Sequence, residues 1–183
     1  MMLKDIVTHE NQCPERTIRC PYSGCGQKVK LKDYDTHALV NLHSTKLGGK
    51  LVRLRVDNVF CNLNWAMGCI QGLDEFFHVN IVYHEPSNCF VFSIWLAKSK
   101  NIASKYEANL FIKGDGNKKL CFDGIKVSSV EDVPSMLTCM EENGNFFLCL
   151  PVGMAKNISV KKQDGAEGII EEKLHVLCSF KKI

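Results

Sequence analysis

Cys89-Phe-Val-Phe-Ser-Ile-Trp-Leu96 is apolar at nearly every position. A strand sends alternate side chains to opposite faces, so a run that is apolar on both reads as a central strand covered by protein on each side. Working outward, short β-type segments bounded by turn residues recur on either flank. They are Leu51–Asp57, Leu63–Gly68, Phe76–Tyr83, Cys89–Ala97, Glu107–Lys113, Lys118–Phe122, Phe146–Leu150, Ile158–Lys161 and Lys173–Phe180. About nine short strands predict a β-sandwich. Gly114-Asp-Gly116-Asn117 signals a hairpin turn between two of them, and Asp164-Gly165 with Gly168 a longer loop before the last. In that last strand Leu174, Val176, Cys178 and Phe180 alternate with Lys173, His175, Leu177 and Ser179, so the first set is expected to face the core. Ser129–Met140 is the one helix expected in this half, shortened by Pro134.

Ahead of the strands the pattern changes. Cys20-Pro-Tyr-Ser-Gly-Cys25 is followed by His37 after eleven intervening residues and by His43 after five more. Two cysteines on a tight knuckle, turned by Pro21 and Gly24, plus two histidines on a short helix supply the closed tetrahedron that zinc prefers at structural sites. Asp33 is placed to cap a helix from about Tyr34 to His43, bringing both imidazoles to the cysteine pair. The chain therefore divides into residues 1–19, a zinc finger over 20–45, and a sandwich over 46–183 after the Gly48-Gly49 linker.

Composition narrows the function classes. Hydrophobic residues are 45% and charged residues 23% of the 183, values of a folded protein rather than a disordered one. A net charge of +3 is too small to announce a nucleic-acid binder, despite the basic run Lys28, Lys30 and Lys32. No apolar run approaches the roughly 20 residues that span a bilayer, so no membrane role is expected. Ten cysteines invite a disulfide reading, but no secretory leader is seen and most lie in apolar strand-like runs. The expectation is a reducing compartment, the cytoplasm or also the nucleus.

Other chemistry is thinly supported. No nucleophile context surrounds any cysteine, so His78, His84 and His175 read as strand histidines rather than catalytic bases. A nucleic-acid reading of the finger would have its helix present Tyr34, Asp35 and Thr36, but Asp33 and Asp35 would repel phosphate. Leu63, Trp65 and Met67 alternate with Asn62, Asn64 and Ala66, forming an apolar stripe that is either sandwich core or a surface groove.

Several segments, taken in order, resemble the C-terminal half of the seven-in-absentia (Siah/Sina) family of E3 ubiquitin ligases. His9-Glu-Asn-Gln-Cys13 looks like the closing ligands of that family's first zinc finger, and Cys20, Cys25, His37 and His43 like those of its second. Thr45-Lys-Leu47, Asn64-Trp65-Ala-Met67, Phe90-Val-Phe-Ser-Ile94, Tyr106-Glu-Ala-Asn-Leu110 and Glu142-Asn-Gly-Asn145 are similar to segments of its TRAF-like substrate-binding domain.

The resemblance implies a mainly β fold, a small zinc finger followed by a TRAF-like antiparallel β-sandwich. It also implies substrate proteins bound as extended degron-like peptides by Thr45, Leu47, Leu63, Trp65 and Met67, and a homodimer. The eight ligands of a RING are not found in this chain, so it is expected not to be an enzyme alone and to meet a ubiquitin-conjugating enzyme only if a RING is supplied elsewhere. His9 and Cys13 lack two leading cysteines, and this partial metal site is expected to be empty. A nucleic-acid-binding finger protein and a non-ligase TRAF-like adaptor are the competing functions.

Overall fold

The computed structural model of the chain describes residues 9–10, 13–22, 25–41, 43, 45–47, 51–55, 65–114, 117–132, 147–158, 160–163 and 170–183. The finger is built from a two-stranded ribbon, β1 (Thr17–Arg19) and β2 (Lys28–Lys30), then a 3-10 turn over Leu31–Asp33 and helix α1 (Tyr34–Val40). Beyond it come β3 (Thr45–Leu47), β4 (Leu51–Arg55), β5 (Trp65–Gly72), β6 (Glu75–His84), β7 (Cys89–Leu96), the single-turn helix α2 (Lys100–Ala103), β8 (Tyr106–Lys113) and β9 (Lys119–Lys126). The chain continues with β10 (Ser128–Ser129), β11 (Phe147–Pro151), α3 (Val152–Ile158), β12 (Val160–Gln163) and β13 (Ile170–Lys182). No helix among the described residues is long and apolar enough to cross a membrane.

Beyond the finger ribbon, the described strands form two sheets. One runs β10, β7, β6, β5, β3, with β11 also on β7; the other runs β12, β13, β8, β9, with β4 also on β13. Pairing is antiparallel except where β10 meets β7 and β3 meets β5. Phe77, Val79, Ile81, Phe90, Phe92, Ile94 and Leu96 of the first sheet pack against Ala108, Leu110, Ile112, Val176 and Cys178 of the second. Each large apolar side chain so buried is worth ~1.5–3 kcal/mol, and this layer is the main reason the sheets stay face to face. Phe77 stacks on Phe180 with ring centroids 3.8 Å apart, tying the sheets at one end.

β7 is central as expected, with β6 on one side and β10 and β11 on the other. Its even-numbered residues face the sandwich core. Its other face carries Trp95 and, just past the strand, Ala97, and both belong to a separate apolar cluster with Cys20, Leu31, Tyr34, Ala38 and Val130. The finger is thus what covers this end of the outer face.

Several expectations need correction. Ser129 closes a short strand and Val130–Asp132 is a 3-10 turn, in place of the expected helix start; the rest of Ser129–Met140 lies outside the described residues. Ile158 ends a helix rather than opening a strand, because Val152, Ala155 and Ile158, at spacing three, all turn inward. Gly114 makes the approach of that helix possible: a Cβ there would run into the Ile158 carbonyl. β5 and β6 are joined through Leu73 and Asp74, both at positive φ (52° and 62°), a two-residue turn that no Asn-Gly announces. β9 runs on to Lys126 through an irregularity between Ala108 and Leu110 of its partner, where Gly124 (φ 70°) donates its N–H to Asn109 Oδ1 at 3.0 Å.

Candidate metal centre

Local backbone bonds set the knuckle. The Cys20 N–H donates to the Gln27 carbonyl at 2.8 Å and the Cys25 N–H to the Tyr22 carbonyl at 3.0 Å, folding the two cysteines back between β1 and β2. His37 sits in the middle of α1 with Nε2 3.5 Å from Cys25 Sγ. Asn41 Nδ2 donates to the His37 main-chain carbonyl at 2.8 Å and lies 3.1 Å from its Nδ1, on the side of the ring away from the sulfur.

The expected helix to His43 stops at Val40, so the two histidines do not share a helical face. His43 instead reaches the cluster from the turn beyond, where its N–H donates to the Ala38 carbonyl at 2.9 Å, a reach-back bond typical of helix C-termini. Its ring stacks on Tyr22 at 4.3 Å. Asp33 occupies the N-cap position of α1 but makes no side-chain capping bond, since the preceding 3-10 turn already continues into the helix.

The ligand atoms of Cys20, Cys25, His37 and His43 all lie within 4.8 Å of one another. A tetrahedral ion with bonds of about 2.0–2.3 Å holds its ligands about 3.5 Å apart, the spacing already present between Cys25 and His37. His43 Nε2 is buried with no hydrogen-bond partner among the described residues, as an atom reserved for a metal would be. Burial, with His37 as a second cause, holds His43 below its ordinary pKa and so keeps it in the neutral form that ligates. Burial pushes the Cys20 thiol up, and the adjacent Cys25 adds to that push. A cation among these groups reverses the balance and favours the thiolates. The four residues can therefore hold a metal ion.

Around this cluster stand residues that sequence reading missed. Tyr34 is fully buried, its hydroxyl 3.9 Å from Cys20 Sγ and its ring edge-on to Trp95 at 5.4 Å and to His78 at 5.5 Å. Burial raises the phenol pKa well beyond its ordinary value, so the hydroxyl keeps its proton and can donate to a thiolate. His78 stacks on Trp95 at 4.2 Å and meets the Asp35 carboxylate through Nε2 at 2.8 Å. Tyr34 and Ala38 sit one turn apart on the apolar side of α1, a spacing visible in the sequence, but their target on β7 is not.

The remaining site residues are more scattered. His9 is exposed and Cys13 half-buried, and no third ligand joins them in a cluster among the described residues. Leu63 lies outside the described residues. Thr45 and Leu47 are on β3 in parallel register with Gly68 and Ile70, while Trp65 and Met67 on β5 stand opposite Val82 and Asn80. Ile70, Phe77, Val79 and Ile81 define the core side of these strands, and the side chains of Thr45, Leu47, Trp65 and Met67 lie outside the described ones. No model of a known protein family matches this sequence, and no curated protein matches it.

Proposed function

We propose that this chain is the substrate-recognition and self-association portion of a Siah/Sina-type E3 ubiquitin ligase, holding zinc in its finger and binding extended degron-like peptides at the β5 edge of the first sheet. The order of matching segments along the chain supports the reading, together with the thiolate and imidazole donor set, which suits zinc. The observation that carries it is the register of β5. β3 pairs with β5 only from Gly68 to Ile70, and among the described strands none pairs with positions 65–67 on that edge. An extended peptide laid there gains main-chain hydrogen bonds from the edge, and the resemblance supplies Trp65 and Met67 as the residues that would recognise it. Catalysis of ubiquitin transfer belongs to a RING and its conjugating enzyme, outside this chain, and the setting is cytoplasmic or nuclear. A second copy completes the assembly as a homodimer.

The nucleic-acid alternative is disfavoured by where α1 points. Tyr34 and Ala38 are buried and Asp35 is bonded to His78, so this face of the helix is turned to the sheet and not toward a groove.

The test is Trp65→Ala, followed by both thermal melting and binding of an extended Pro- and Val-containing peptide. Loss of a groove anchor weakens binding by about 2 kcal/mol or more and leaves the fold standing. A melting temperature far below the parent, with no peptide bound by the parent, defeats the reading.

A further inference from the structure

We propose that the metal centre and the sandwich are thermodynamically linked through Tyr34, so that an ion held by the finger keeps it seated on the sheet and loss of that ion uncovers Trp95. The inference rests on the metal reading of the four-ligand cluster. Tyr34 touches both sides of the link: its hydroxyl is 3.9 Å from a ligand sulfur, and its ring meets Trp95 and His78 of the sandwich. The next residue, Asp35, makes the hydrogen bond to His78, and His37, two further on, is a ligand. Three consecutive functions thus fall within one turn of one helix.

That helix cannot stand by itself. α1 has seven residues, whereas isolated helices shorter than ~12–15 are marginal in water. It is fixed at one side by the ligand His37 and at the other by Tyr34 and Ala38 against Trp95 and Ala97. Withdrawing either support frees the residues that make the other. The ion pair of Arg16 with Glu131 crosses the same junction, joining the segment before β1 to the 3-10 turn after β10. Coupling between two such sites is reciprocal, so damage on the sandwich side must weaken the metal site by the factor with which the metal strengthens docking.

The experiment uses the full chain carrying Trp65→Phe, which leaves Trp95 as the sole indole. The chain is loaded with zinc and titrated with a chelator while released zinc and tryptophan emission are followed together. Emission is expected to move to longer wavelength in step with release and to return on adding zinc. In a second arm, His78→Gln is expected to lower zinc affinity at least fivefold, although His78 is not among the ligands. Zinc release with unchanged Trp95 emission overturns the proposal, as does parental zinc affinity in a folded His78→Gln protein. A parent chain that binds no zinc at all fails at its first measurement and overturns the metal reading and the link together. If His78→Gln does not fold, the chelation arm alone decides.

Discussion

His78 Nε2 lies 2.8 Å from Asp35 Oδ1, joining a residue in the middle of a sandwich strand to one in the first turn of the finger helix. The histidine is fully buried, and the carboxylate side chain is 24% exposed. With Trp95 stacked on one face of the imidazole and Tyr34 at its edge, no other described group meets Nε2.

Asp35→Ala is therefore expected to destabilise the protein. It leaves a buried imidazole nitrogen unsatisfied, a loss of about 1–3 kcal/mol measurable by denaturant unfolding. A variant as stable as the parent would mean that water replaces the carboxylate at no cost.

Metal content should be one zinc ion per chain by native mass measurement, and none in Cys25→Ser. Two tightly bound ions would bring His9 and Cys13 back as ligands. Affinity should fall as pH falls. The raised Cys20 thiol must give up a proton to bind, and as pH falls from the ordinary imidazole value of 6.5 toward the lowered value of His43, that ring begins to take a proton up. Because the folded pKa of His43 is lowered, the unfolded chain binds more protons in that window, so acid also removes stability from the metal-free finger.

Gly114→Ala should be the most damaging alanine substitution among the described glycines of the sandwich. The added methyl meets the Ile158 main chain, which cannot rotate away as a side chain would, so α3 must shift. A loss of about 1–3 kcal/mol or more is expected from the melting curve.

Thiol labelling of the native protein should follow burial. Cys121 and Cys149 are exposed and should react, Cys149 the more slowly because partial burial and its neighbour Cys89 push its thiol up. Cys178, buried and pushed up to about 12, should stay unmodified until the sandwich unfolds. Cys20 and Cys25 should become reactive when zinc is chelated. Mass mapping of each modified peptide checks the order.

What could be read in advance was whatever is local or periodic. The two-faced apolarity of Cys89–Leu96 announced a central strand, and the alternation at Val176, Cys178 and Phe180 announced an inner face. The spacing of Cys20, Cys25, His37 and His43 announced a cluster. Long-range partners carry no such signal. Nothing in the sequence pairs Tyr34 with Trp95, or Asp35 with His78, because those contacts depend on where the finger docks. The stripe at Trp65 and Met67 was ambiguous for the same reason: alternation marks two faces of a strand without saying which one is covered.

Among the described strands β9 forms the margin of its sheet, and the irregularity at Ala108 and Leu110 has a bearing on how the chain behaves in a crowded solution. An unpaired strand edge is a template on which further copies can stack into filaments. Here regular pairing runs only from Lys119 to Phe122 before the register breaks, and lysines stand at both ends of the strand, Lys119 and Lys126. Four regular residues are fewer than the roughly 5–6 of an ordinary strand. A second molecule approaching this margin meets positive charge and a kink, so the protein can remain concentrated without polymerising through it.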